Sequence, residues 1–146
     1  MTSLVEVCVD ASLVVAWLLP EEFTDEAFAL KERWTGEGTE LIAPVMLAAE
    51  VASTLRQAVY RGRVSVSEGD EAFAAFLEMP IRIIQPERLL SRAWEIGKAV
   101  NAPRLYDAFY VALADIEACE LWTADRRLTN LVQPRFPQVH WLGETA

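Results

Sequence analysis

The sequence predicts an α/β fold: a three-layer α/β/α sandwich around a short parallel sheet. Three observations lead there. Strand-like and helix-like segments alternate from end to end, the pattern of a parallel sheet with helices on both faces. Hydrophobic residues make up 53% of the chain, enough for a substantial core. Within 146 residues there is no repeat, low-complexity tract or long linker, so residues 1–146 are expected to form one domain.

The elements follow in order. Leu4 to Val9 is β-branched and ended by Asp10, as for a short buried strand. Ala11 to Leu19 predicts a helix stopped by Pro20. Thr24 is a candidate N-cap for a helix to about Gly36, with Asp25 and Glu26 at its positive end. Leu41 to Ala43 predicts a second strand. Pro44 suits the first turn of a helix from Val45 to about Arg61, closed by Gly62. Ser67, with Asp70 three residues on, predicts a capped helix to about Glu78, which Pro80 ends. Ile81 to Ile84 is strand-like and Pro86 to Val100 helical. Pro103 opens a helix carrying Asp107 and running to about Cys119. Leu121 to Thr123 predicts a strand, Asp125 to about Leu131 a helix, and Val139 to Trp141 a last strand.

Composition excludes several classes. The longest uncharged runs fall well short of the ~20 residues that cross a membrane. The first Lys or Arg is Lys31, so a secretory or mitochondrial leader does not fit, and a cytoplasmic location is expected. Cys8 and Cys119 lie in apolar segments without CxxC spacing and are expected as core residues. A net charge of −9 argues against nucleic acid, but weakly, since metal-bound carboxylates are not free surface charge. Basic residues also cluster, at Arg56, Arg61 and Arg63 and again at Arg126 and Arg127. Solvated helix ends explain these equally well.

Four carboxylates stand where apolar segments end or are interrupted. Asp10 is the only charge from Val7 to Pro20, and Glu50 the only one from Leu41 to Leu55. Asp107 is the only charge from Leu105 to Ala114, and Asp125 follows Leu121-Trp-Thr-Ala124. Burying an ionised carboxylate costs several kcal/mol unless it is paired or metal-bound. No Lys or Arg adjoins Asp10, Glu50 or Asp107 in the sequence, which points to a hard divalent cation. In parallel sheets such sites form at the carboxyl ends of the strands. Each residue also has a plainer reading. Asp10 and Asp125 could cap the helices they precede. Glu50 could edge a helix face, and Asp107 shares a stripe with Val111, Ala114 and Ala118. Glu50 is expected in the second turn of its helix and Asp107 in the first.

The remaining chemistry is thin. His140 is the sole histidine, so a two-histidine ribonuclease mechanism is excluded. GxSxG, GxxxxGK[ST] and GxGxxG are all absent. An aspartyl-nucleophile phosphatase or response-regulator domain does not fit either. Asp10 is followed by Ala11-Ser12, and the only lysines are Lys31 and Lys98. A non-catalytic binding module, its acidic pocket holding a partner's basic side chain, remains the alternative to an enzyme.

With these residues laid out, the chain resembles a PIN domain of the VapC type, the ribonuclease toxin of bacterial toxin–antitoxin pairs. The blocks that carry the resemblance are Val7-Cys-Val-Asp10-Ala-Ser12, Pro44-Val-Met-Leu-Ala-Ala-Glu50-Val, Tyr106-Asp107-Ala-Phe-Tyr-Val-Ala-Leu-Ala114 and Leu121-Trp-Thr123-Ala-Asp125-Arg-Arg-Leu128. It implies a metal site of Asp10, Glu50, Asp107 and Asp125, with Ser12 and Thr123 as polar helpers. It also implies Mg²⁺ or Mn²⁺, an RNA substrate cut to 3′-hydroxyl and 5′-phosphate ends, a cognate antitoxin and a homodimer. Nothing acidic lies between Asp125 and Glu144, where some relatives carry a further ligand. The apolar residues Phe23, Phe28, Leu47 and Val51 are spread more widely than one core-facing stripe requires. They could line a groove between helices 24–36 and 45–61 for the antitoxin, or simply fill the core.

Overall fold

The computed structural model describes residues 5–146. Five strands form a single parallel sheet in the order β3-β2-β1-β4-β5. They are β1 (Glu6–Val9), β2 (Glu40–Ala43), β3 (Ile81–Ile83), β4 (Glu120–Thr123) and β5 (Val139–Trp141). The helices are α1 (Ala11–Leu18), α2 (Thr24–Glu37), α3 (Leu47–Tyr60), α4 (Val66–Leu77), α5 (Leu89–Ala99), α6 (Tyr106–Ile116) and α7 (Arg126–Val132), with a 3₁₀ turn at Leu142–Thr145. Helices α1 to α4 pack among themselves and α5 packs on α6, so helical layers flank the sheet. The expected α/β class is therefore the observed one. The expected strand start at Leu4 lies outside the described residues.

The central strands are buried because both faces are covered. Cys8, Val9, Ile42, Ala43 and Leu121 are completely inaccessible. β1 pairs with β2 on one side and β4 on the other. The chain leaving β1 turns toward β2, whereas the chain leaving β4 turns toward β5. Their carboxyl ends thus flank a topological switch point, where a crevice opens. Asp10 follows β1 and Asp125 lies just beyond β4, so both border that crevice.

Several boundaries differ from expectation for local reasons. Thr24 does not cap α2. Phe23 holds the N-cap position without a side-chain bond, and the Thr24 hydroxyl accepts the Glu21 N–H at 2.7 Å instead, tightening the turn after Pro20. That helix passes Gly36 and ends where Gly38 adopts φ +72°, a left-handed conformation that suits glycine. The box that starts α4 is Ser65 with Glu68, not Ser67 with Asp70. The Ser65 hydroxyl accepts the Glu68 N–H and Glu68 accepts the Ser65 N–H, each at 3.0 Å. Val45 and Met46 form a turn after Pro44, so α3 starts at Leu47 and Glu50 sits in its first turn, not its second. The segments after Pro86 and Pro103 likewise become helical only at Leu89 and Tyr106. The helix carrying Asp107 ends at Ile116, because Ala118 takes φ +53° and the Cys119 N–H folds back on the Ala114 carbonyl.

Of the two readings left open for the apolar residues of α2 and α3, core packing holds for two of the four. Leu47 and Val51 are fully buried core residues. Phe23 is half-buried against Trp141, and only Phe28 stands exposed.

Candidate active site

Asp10 is the deepest of the four carboxylates, 6% exposed at the end of β1. It both caps α1 and anchors a hydroxyl pair. Its Oδ1 accepts the Leu13 N–H at 3.0 Å and the Ser12 hydroxyl at 2.8 Å; its Oδ2 accepts the Thr123 hydroxyl at 2.5 Å. Each hydroxyl has one proton, and both are committed to Asp10. Their oxygens are then free to accept. Ser12 takes the Ala124 N–H at 3.0 Å and Thr123 takes the Asp125 N–H at 2.9 Å. The two helpers therefore tie the β4–α7 connection, and Asp125 with it, to Asp10.

Asp125 caps α7 through Oδ1, which accepts the Arg127 N–H at 2.9 Å. Its Oδ2 takes the Arg127 Nη2 at 3.0 Å, and the same nitrogen lies 3.2 Å from Asp107 Oδ2. One guanidinium nitrogen thus bridges the first turn of α6 to the N-cap of α7. Glu50, in the first turn of α3, accepts the Tyr110 hydroxyl at 2.5 Å. Tyr110 lies on α6, one turn after Asp107, and is almost wholly buried.

The electrostatics connect the same groups. Burial, with a smaller push from the Asp107 charge, raises Asp10 to about 6 against the opposing effect of its three donors. Glu50 is also raised, by burial first; Tyr110 opposes this and the Asp107 charge adds to it. The Tyr110 phenol is held well above its usual range by burial and by the Glu50 charge it faces. Asp107 is therefore felt by both Asp10 and Glu50 and shares Arg127 with Asp125. All four carboxylates, with Ser12 and Thr123, belong to one connected set. His140 stands apart from it, stacked on Trp122 at 4.9 Å between Glu120 and Glu144. Cys8 is buried in the core and Cys119 partly so, both as free thiols.

The PIN domain family model matches residues 7–133 of the chain. The VapC ribonuclease Mb0985 of Mycobacterium bovis is 32% identical over 131 residues, which span 90% of this chain and 94% of that protein. This chain is a PIN domain of the VapC ribonuclease family. Ribonuclease VapC3 of Mycobacterium tuberculosis is 31% identical over 138 residues, covering 94% of this chain and 93% of its own. The fold agrees with that of PAE2754 from Pyrobaculum aerophilum, with a TM-score of 0.68 at 18% identity over 98% of this chain and 95% of the other. It agrees also with VapC20 of Mycobacterium tuberculosis, described as a Sarcin-Ricin loop cleaving toxin, with a TM-score of 0.61 at 18% identity over 85% and 93%.

In this PIN domain the donor set suits a hard divalent ion: carboxylate oxygens, with the Asp107 charge adding to the burial that raises the proton affinity of Asp10 and Glu50. As the side chains stand, no three acidic, His or Cys groups among the described residues are arranged to hold a metal ion. Protein donors occupy them instead, and the Arg127 guanidinium stands in as the cation on Asp107 and Asp125. Those two residues are half-buried whereas Asp10 is buried, so an ion arriving from solvent meets them first.

A cavity of about 380 Å³ opens beside Asp125, between Ser12, Val15 and Ala16 of α1, Phe23, and Thr54 of α3, with Glu21 and Glu22 at its rim. Two participants were not singled out as site residues by sequence. Tyr110 could have been found from the need of a buried phenol for a polar partner. Arg127 could have been found from its spacing after Asp125, although the cluster it belongs to also suits a solvated helix end.

Proposed function

We propose that this chain is a Mg²⁺-dependent endoribonuclease acting as the toxin of a toxin–antitoxin pair in the cytoplasm. The observation that carries the reading is the linked set of Asp10, Glu50, Asp107 and Asp125 at the switch point of a VapC-family PIN fold. Asp10, Glu50, Asp107 and Asp125 would hold the ion, and Mn²⁺ would serve in place of Mg²⁺. A bound divalent ion supplies Lewis-acid stabilisation of phosphoryl charge and lowers the pKa of attacking water. The chain's residues do the rest. Ser12 and Thr123 fix the Asp10 carboxylate, and burial favours a charge-neutralising ligand there. Tyr110 fixes Glu50. Asp107 and Asp125, the more exposed pair, would hold the ion on the side that single-stranded or loop RNA approaches; attack of water at phosphorus with departure of the 3′-oxygen leaves 3′-hydroxyl and 5′-phosphate ends.

The partners follow from the same reading. The acidic cavity beside Asp125 suits a basic side chain from a cognate antitoxin. The homodimer that the family resemblance implies has exposed apolar side chains available, such as Leu90 and Trp94 on α5.

The test is cleavage of structured RNAs by purified, partner-free protein with Mg²⁺ and with EDTA, the ends mapped. Asp10→Asn and Asp107→Asn should each lower the Mg²⁺-dependent rate by orders of magnitude and relieve growth arrest on expression. Parent-like cleavage by both variants, or full cleavage in EDTA, would overturn the proposal.

A further inference from the structure

Arg127 lies across the carboxylates that a metal ion needs. Its Nη2 touches Asp107 Oδ2 at 3.2 Å and Asp125 Oδ2 at 3.0 Å, while its backbone N–H holds Asp125 Oδ1 at 2.9 Å. Both oxygens of Asp125 are thus taken by one residue. Among the described residues it is the one cation paired with any of the four carboxylates. Its neighbour Arg126 faces elsewhere, over the Trp141 ring at 4.9 Å. The Arg127 side chain is 68% exposed, so packing does not lock it in place.

A guanidinium and a divalent ion cannot share the same two oxygens, because like charges at contact distance repel. The backbone bond to Asp125 fixes the base of Arg127, and its long exposed side chain has room to reorient. The anion that arrives with the metal is an RNA phosphate, whose oxygens match the planar guanidinium fork. We propose that Arg127 is a resident counter-ion of the metal-free site: it holds Asp107 and Asp125 until the divalent ion displaces it, and then binds the substrate phosphate. This rests on the metal-dependent reading above. It makes Arg127 a competitor of the metal and a helper of the RNA, two effects of opposite sign on one residue.

The experiment measures Mn²⁺ binding and RNA cleavage for the parent, Arg127→Ala and Arg126→Ala. All three proteins are first checked for equal thermal melts in EDTA. Exposed ion pairs predict that Arg127→Ala half-saturates at about two- to tenfold lower Mn²⁺ than the parent. At saturating metal its KM for RNA should rise while kcat changes less. Arg126→Ala removes the same charge next door and should leave Mn²⁺ affinity near that of the parent. Unchanged or weaker Mn²⁺ binding in Arg127→Ala would overturn the proposal. So would equal tightening in both variants, which would mark a general charge effect. Tighter metal binding with an unchanged KM would overturn the phosphate role and leave the counter-ion role standing. No Mn²⁺ binding in any of the three would overturn the metal-dependent reading itself, and this inference with it.

Discussion

The Tyr110 hydroxyl donates to Glu50 Oε1 at 2.5 Å, joining α6 to α3 across the candidate site. The phenol is buried among core residues and its oxygen emerges where the carboxylate needs a donor. This explains how a half-buried glutamate keeps one orientation. Tyr110→Phe keeps the ring and removes the donor. It should cost roughly 1–3 kcal/mol in urea unfolding, since a charged acceptor loses its protein partner. The Glu50 carboxyl should rise further in pKa, because the bond that lowers it is gone. Mg²⁺-dependent cleavage should fall with it. A variant with parent stability and parent activity would show that the bond orients nothing.

Asp10 links the site to pH. Its carboxyl is pushed from 3.8 up to about 6, chiefly by burial. A raised acid pKa means that the folded state binds the proton more tightly than the unfolded chain. The resulting stability is fully present below about pH 4 and lost as pH rises through about 6. A shift of that size corresponds to about 3 kcal/mol. Urea midpoints of the metal-free protein should therefore fall between pH 4.5 and 7, and Asp10→Asn should flatten the curve. Mg²⁺ should restore stability at the upper end, by about RT ln(1 + [L]/Kd). A parent curve that is flat in EDTA would contradict this account of Asp10.

Thr123 is fully buried, and its hydroxyl lies 3.1 Å from that of Ser12. Its hydroxyl donates to Asp10 and accepts from the Asp125 N–H at 2.9 Å. Thr123→Val is nearly isosteric and leaves a carboxylate oxygen and a backbone N–H without their partner. The loss should be roughly 2–4 kcal/mol. Thr123→Ser keeps both bonds and loses a methyl, at about 1 kcal/mol. Activity should follow the hydroxyl, so the serine variant should retain Mg²⁺-dependent cleavage and the valine variant should lose most of it. Equal behaviour of the two would assign Thr123 to packing alone.

What could be read from sequence here divides by physical range. Asp10 and Asp125 were legible because a charge directly after a buried strand is a local anomaly. The parallel sheet was legible because strand and helix alternate. The starts of α1 and α7 were legible too, but those of α3, α5 and α6 were not, because the residues after Pro44, Pro86 and Pro103 stay non-helical as far as Leu47, Leu89 and Tyr106. The cap of α4 moved because Glu68 reaches back to Ser65. The Tyr110–Glu50 and Arg127–Asp107 pairs join residues from different elements, so only the folded chain brings them together. The burial of Leu47 and Val51 is of the same kind: their apolar character was plain, but which side of α3 faces the core depends on α1 and α4.

The cavity beside Asp125 carries the last prediction. Its floor is apolar, from Val15, Ala16 and Phe23, and its acids are Asp125, Glu21 and Glu22. Arg63 lies 3.5 Å from Glu21 and Arg127 lies 3.0 Å from Asp125, so an incoming cation meets Glu22 first and must displace the exposed Arg127 guanidinium to reach Asp125. Such a site suits an amphipathic antitoxin segment that lays apolar residues on the floor and directs Arg toward Asp125. Metal and partner would then compete for the same carboxylate. Simple competition weakens the partner's apparent affinity by the factor 1 + [Mg²⁺]/Kd, about tenfold at ten times the metal's own Kd. Ionic strength must be matched with a monovalent salt, since screening alone weakens charge pairs. Asp125→Asn should lower partner affinity and reduce its Mg²⁺ dependence, whereas Glu22→Gln should lower affinity and leave that dependence intact. If partner binding is indifferent to Mg²⁺ at constant ionic strength, the antitoxin must inhibit by covering the RNA entrance rather than by holding Asp125.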